Sequence, residues 1–153
     1  MISKNRAGRP VREDRQEKLT ELEHAFAKRP LAARARLLDA GFDDQTLRLA
    51  VEAGAIRRVR SGVYMAGDRA ETQFTDLLIA HELAPESAIC LTTAAHLHGL
   101  TSEPPGAWLA IPHGKHAPSG LDVSYKRWSR RAFFDEGTET RDLDGYPARM
   151  TSR

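Results

Sequence analysis

The sequence holds a single cysteine, Cys90, among 153 residues. One thiol excludes an internal disulfide, and with it a disulfide-stapled secreted scaffold. It also removes every Cys-x-x-Cys metal or redox motif. No apolar run approaches the roughly 20 residues that a membrane-crossing helix needs. The start, MISKNRAGRP, passes from basic residues straight into Gly-Pro, and no apolar segment of secretory length follows. These absences predict a cytoplasmic chain with no membrane partner. There is no Gly-rich phosphate loop, no nucleophile elbow, no His-Glu-x-x-His and no paired acid motif. The chain is therefore read as non-enzymatic, without cofactor or metal.

What is present is enough apolar material for a core. Hydrophobic residues make up 41% and charged residues 29%, which excludes broad disorder. The formal net charge is only +2, but the charge is unevenly placed. Residues 1 to 12 carry Lys4, Arg6, Arg9 and Arg12 and no acid. Residues 135 to 144 carry Asp135, Glu136, Glu139, Asp142 and Asp144 against Arg141. Basic charge is concentrated in the first half and between Lys126 and Arg131.

Residues 1 to 14 read as a flexible basic arm. A helix is expected over 15 to 28, with Leu19, Leu22 and Phe26 on one stripe and Pro30 as its stop. A second helix is expected over 31 to 40 (LAARARLLDA), with Leu31, Ala35 and Leu38 inward and Gly41 as terminator. Asp43 is a good N-cap for a third helix, 44 to 53, that buries Leu47, Ala50 and Val51. Residues 55 to 66 read as a β-hairpin turning at Ser61-Gly62. Ile56 and Val59 are three apart, so a bulge or a twisted short strand is needed to reconcile them.

Helix, helix, short turn, helix, hairpin is the order of a winged helix-turn-helix, expected over 15–68. The fold class expected is α+β: this unit, then a small mixed α/β domain over 69–153. In that second domain, 71 to 83 predicts an amphipathic helix with Phe74, Leu77, Leu78 and His81 inward. AICL, AWLAI, LDVSYKRW and YPARM read as strands, and TTAAHLHG as one or two helical turns. YPARM sits near the chain's end with nothing to cover it, and so reads as an exposed edge.

The candidate DNA-binding residues follow from this layout. Gln45, Thr46 and Arg48 lie off the expected core face of the third helix, where Gln suits adenine and Arg suits guanine or phosphate. Arg34 and Arg36 before it, and Arg57, Arg58, Arg60 and Ser61 on the hairpin, suit flanking phosphates. Asp44 and Glu52 oppose this reading unless they point away or accept from cytosine. The alternative is a solvated charged surface around a small helical core. The arm carries AGRP, residues 7 to 10. Arg6, Gly8, Arg9 and Pro10 are chemically suited to a narrow A·T minor groove; an arm with incidental charge is the competing reading.

Other polar residues have plainer readings. His96 and His98 are two apart and diverge on a helix, so they read as packing or hydrogen-bonding groups. His113 and His116, three apart in a Gly-Pro loop, have a spacing that permits convergence on a metal. Ser87, Thr92 and Thr93 read as loop and cap residues, and Trp108 and Trp128 as core or edge packing.

The stretch LLDAGFDDQTLRLAVEAGAIRRVRSGVYMAG resembles the N-terminal winged helix of AbiEi-type antitoxins, from type IV abortive-infection toxin–antitoxin systems. The carrying features are the AGF turn, the TLR helix, the G-x-I-x-R-V-R-x-G-V-Y hairpin, and further on TTAAHLHGL and AWLAIP. The similarity covers about residues 31 to 130. It implies a transcriptional regulator that represses its own operon by binding inverted repeats in double-stranded promoter DNA. It also implies a nucleotidyltransferase-like toxin as partner. A single small winged helix has a modest footprint, so pairing as a homodimer on a two-fold site is expected to raise affinity. Tyr64 would anchor the hairpin. In longer members the strand corresponding to YPARMTS leads into a further domain; here the sequence ends at Arg153, so a truncated second domain and a natural short form both stay open. Two other functions remain: a toxin-neutralising interaction module that binds no DNA, using the acidic run 135 to 144, and the DNA-binding part of a longer nuclease-like protein.

Overall fold

A helix cannot run through Pro30, and the computed structural model ends α1 (Val11–Lys28) just before it. The structure describes residues 11–102, 104–129 and 136–152. The chain divides into two compact units, Met1–Arg69 and Ala70–Arg153. The described residues are mixed α and β, with five helices and two sheets.

In the first unit the order is α1, β1 (Leu31–Ala33), α2 (Arg34–Asp39), α3 (Asp44–Glu52), β2 (Ile56–Arg60) and β3 (Val63–Ala66). The three strands form an antiparallel sheet in the order β1-β3-β2. α1 starts at Val11, four residues earlier than its apolar stripe suggests. Residues 11–16 (VREDRQ) carry no apolar period, so periodicity gives no signal for this part of the helix.

The second helix of the sequence reading is corrected more sharply. Leu31, Ala32 and Ala33 are a buried strand, paired to Met65, Tyr64 and Val63. Only Arg34–Asp39 is helical, and it buries Leu37 rather than Ala35 or Leu38. The cause is tertiary: β3 has one side on β2, and its other side is satisfied only if residues 31–33 extend alongside. Ala66 N–H also donates to the Pro30 carbonyl at 2.8 Å, prolonging the ladder. α3 buries Leu47 and Ala50, but Val51 is 39% exposed and does not join the core. That core is Leu22, Phe26, Ala32, Leu37, Phe42, Leu47, Ala50, Ile56 and Ala66, with Leu19 and Tyr64 packed on it. Each large side chain buried there contributes about 1.5–3 kcal/mol.

The hairpin turns at Ser61-Gly62. Arg58 pairs with Tyr64 but Arg60 pairs with Val63, so the register slips at Val59. This bulge is the irregularity that the Ile56–Val59 spacing required.

The second unit runs α4 (Thr75–Leu83), β4 (Ala88–Ile89), α5 (Leu91–Leu97), β5 (Trp108–Pro112), β6 (Ser124–Trp128), β7 (Thr138–Leu143) and β8 (Tyr146–Thr151). Its sheet has the order β6-β5-β4-β8-β7 and mixes parallel and antiparallel pairs. α4 is not amphipathic. Leu77, Leu78, Ile79, Ala80, His81 and Glu82 are all buried. β8 is not an edge: it lies between β4 and β7. The covering strand comes from the acidic stretch, where β7 pairs along all of β8. Asp144 (φ 53°) and Gly145 (φ 82°) join the two. Asp-Gly is the dipeptide a two-residue hairpin turn favours, and it was the available signal for β7. The expected AICL strand shortens to Ala88–Ile89 because Leu91 already begins α5.

Gly67 occupies a point where backbones meet. A Cβ on it would stand 2.0 Å from the Gly54 carbonyl oxygen, and its N–H donates to Ala55 O at 2.9 Å. The bond and the clash share one origin, the close approach of the β3 exit to the end of α3. Gly67→Ala is therefore expected to destabilise the first unit by about 2–3 kcal/mol, the scale of overpacking a tight site. Urea denaturation followed by circular dichroism reads this directly, and a loss below about 0.5 kcal/mol would contradict the contact.

Candidate nucleic-acid interface

α3 begins as its sequence dictates. Asp43 is extended (φ −106°, ψ 168°) and its Oδ1 accepts from Thr46 N at 2.8 Å. The same oxygen accepts from Thr46 Oγ1 at 2.7 Å. These bonds hold the Asp43 carboxyl below the usual carboxylate range: the backbone N–H contributes most, then the hydroxyl. Thr46 is thereby corrected. It is buried, and its hydroxyl completes the cap instead of facing outward. A threonine three residues after an N-cap lies over the cap, and helical geometry turns it from solvent.

Gln45 and Arg48 do face solvent on α3. Leu49 is half-buried and Glu52 exposed. Arg36 is exposed on α2. Arg34, at the start of α2, is not simply an outward cation. Its Nε donates to Asp44 Oδ1 at 2.9 Å and its Nη2 to Oδ2 at 2.7 Å. The contact lowers the Asp44 carboxyl and raises the Arg34 guanidinium from their ordinary values, mainly through that side-chain hydrogen bond. Asp44 thus has a cationic partner. Two adjacent acids at a helix start, with only one needed for the cap, were the signal for it.

On the hairpin, alternation separates neighbours. Arg58 is exposed, with Nη2 3.4 Å from the Oγ of exposed Ser61. Arg57 is half-buried, and its Nη2 donates to Arg69 O at 2.6 Å and lies 3.4 Å from Met65 Sδ. Its guanidinium ties the hairpin to the chain leaving it. Arg60 is half-buried and donates to Val59 O at 2.6 Å. Arg6, Gly8, Arg9 and Pro10 lie outside the described residues, as do Arg130 and Arg131. From residue 31 to 66 the sequence carries six arginines (34, 36, 48, 57, 58, 60) against four acids (39, 43, 44, 52).

The second unit holds a buried polar relay that sequence reasoning missed. His81 Nδ1 is 2.7 Å from Ser87 Oγ, which donates to Ala84 O at 2.5 Å. Arg149 N–H donates to His81 Nε2 at 3.0 Å. Nε2 accepts, so in the neutral ring the proton is on Nδ1 and the imidazole donates to Ser87. No lone pair faces the serine hydroxyl, the reverse of what activating a nucleophile requires. Tyr146 O–H donates to buried Glu82 Oε2 at 2.5 Å, beside the same ring. Ser87 also lines a cavity of about 270 Å³ whose rim carries Glu86, Lys115 and His116.

The remaining candidates are structural in their contacts. His98 lies between Thr151 O (2.7 Å) and Arg141 Nη1 (3.0 Å). Thr93 Oγ1 donates to Pro105 O and accepts from Trp108 N. Trp108 and Trp128 pack on Ala88, Cys90 and Ala110. Burial pushes the Cys90 thiol up to about 12. Among the described residues no group of three or more His, Cys, Asp or Glu converges to hold a metal ion, and no helix is long and apolar enough to cross a membrane.

No protein-family model matches the chain, and no curated protein matches it.

The Asp43 cap has a pH signature. Its carboxyl titrates lower folded than unfolded, so its contribution is complete above the unfolded value of about 4 and is lost as pH falls through the folded one. Asp43→Ala is expected to cost about 1 kcal/mol at neutral pH, and to flatten the acid limb of stability. Thermal melts of both chains between neutral and strongly acidic pH test it; parallel curves would exclude the cap as the source.

Proposed function

We propose that the first unit is a winged helix-turn-helix that binds double-stranded DNA, with α3 entering the major groove and the β2–β3 hairpin as its wing. The supporting observation is the element order α-β-α-α-β-β with sheet order β1-β3-β2, which leaves Gln45 and Arg48 on the outer face of α3 and Arg58 outward on the hairpin. In such units the recognition helix presents its N-terminal half to base edges. Gln45 is the adenine reader and Arg48 the guanine reader in this proposal. Arg36, Arg58 and Arg60 grip phosphates, with Ser61 at the wing tip. Thr46 leaves the contact set, and Arg57 becomes a wing brace.

On this reading the chain is a cytoplasmic transcriptional regulator without enzymatic activity, resembling AbiEi-type antitoxins and repressing its own operon as a homodimer on inverted repeats. A nucleotidyltransferase-like toxin is its protein partner. The second unit's acidic strand favours one competing role, a protein-interaction module. β7 is an edge strand carrying Glu139 and Asp142, a suitable surface for a basic partner.

Binding of the chain to the duplex upstream of its own gene, beside a scrambled duplex across a salt series, tests the proposal. Three arginine–phosphate contacts predict a log–log salt slope of about −2.7, and Arg58→Ala should reduce its size by about 0.9. Arg57→Ala should leave the slope unchanged and instead lower stability by about 1 kcal/mol through its lost hydrogen bond. Absence of binding to either duplex would overturn DNA recognition in favour of the interaction module.

A further inference from the structure

α3 opens on two consecutive carboxylates, and only Asp43 is used by the cap. Asp44 is left 66% exposed on the surface assigned to DNA, where a bare carboxylate repels phosphate. Its two oxygens are instead taken by the two arms of the Arg34 guanidinium, at 2.9 and 2.7 Å. The pairs Lys18–Glu21, His98–Glu139 and Lys115–Glu86 are, by contrast, contacts at 3.5 to 3.8 Å. A fork-on-fork pair fixes direction as well as distance.

The pair adds to fold stability only on the small scale of a surface pair. Both side chains are exposed, and exposed pairs contribute little. The first unit is held by its buried aliphatic core and its sheet. What the pair does is geometric. The Arg34 backbone N–H donates to Gly62 O at 2.8 Å, in the hairpin turn. One residue therefore joins the start of α2, the tip of the hairpin and the start of α3.

We propose that Arg34 is a positioning residue for DNA recognition, not a phosphate ligand: it clamps Asp44, sets α3 against the hairpin tip, and screens the carboxylate from the phosphate backbone. This rests on the DNA-binding reading above. The loss of Arg34 is then felt through Asp44.

The experiment compares the full chain with Arg34→Lys, Arg34→Ala and Arg34→Ala/Asp44→Ala on the upstream duplex across a salt series. The backbone bond from residue 34 to Gly62 is available to every variant, and thermal melts check folding. Arg34→Ala is expected to weaken binding about tenfold at low salt, as a like charge comes to face the phosphates. Arg34→Lys should weaken it comparably, because a point charge does not hold both oxygens. Removing Asp44 as well should return affinity to within about threefold of the starting chain, since the exposed charge is gone. Affinity kept in Arg34→Lys, with no recovery in Arg34→Ala/Asp44→Ala, would make Arg34 a phosphate contact and overturn the proposal. NMR titration of the Asp44 carboxyl reads the clamp without DNA. A value low in the starting chain and ordinary in Arg34→Ala is expected; equal values would overturn the clamp even where DNA binds. A clamp intact in a chain that binds neither duplex would mean that the DNA-binding reading had failed, and the proposal with it.

Discussion

The first unit depends on three residues lying extended beside β3. Leu31, Ala32 and Ala33 pair with Met65, Tyr64 and Val63, and the ladder continues to the Pro30 carbonyl. This pairing returns the chain after α1 to the hairpin before α2 begins. It therefore determines where α2 starts, and with it the position of Arg34, whose N–H meets Gly62 O. β3 is distant from residue 31 in sequence but is paired with it in register. Without β1 the hairpin would be a two-stranded ribbon, marginal alone in water.

That constraint sorts the arginines by what their backbones allow. Strand alternation makes Arg57 a brace and leaves Arg58 outward. The start of α2 brings Arg34 to Asp44, while Arg36 two residues on remains exposed. A run of like charges in sequence is thus not a uniform surface. Of nine candidate residues in the helices and hairpin, Thr46 is turned inward by the cap it completes, and Arg34, Arg57 and Arg60 make intramolecular hydrogen bonds.

The second unit solves its edge problem with an unpromising stretch. TETRDL is half charged and lacks an apolar period, yet it pairs along β8 because Asp144-Gly145 folds it back. A two-residue turn sets register regardless of side-chain polarity. The charged residues then serve an edge strand well, since edges resist unwanted pairing when they carry charge.

The sequence by itself determined the features whose causes are local. Pro30 stopping α1, Asp43 capping α3, the Ser61-Gly62 turn and the bulge at Val59 all follow from neighbouring residues acting on their own backbone. Only the tertiary structure decided the rest. Leu31–Ala33 became a strand because β3 needed a partner, against the helix propensity of LAARARLL. His81 and Ser87 met because α4 and the loop before β4 close on each other, and the direction of their hydrogen bond came from an Arg149 N–H distant in sequence. Arg34 and Asp44, ten residues apart, face each other because the α2–α3 turn brings two helix starts together. Contacts between elements depend on where whole backbones are set by strand pairing and core packing, and no local propensity carries that information.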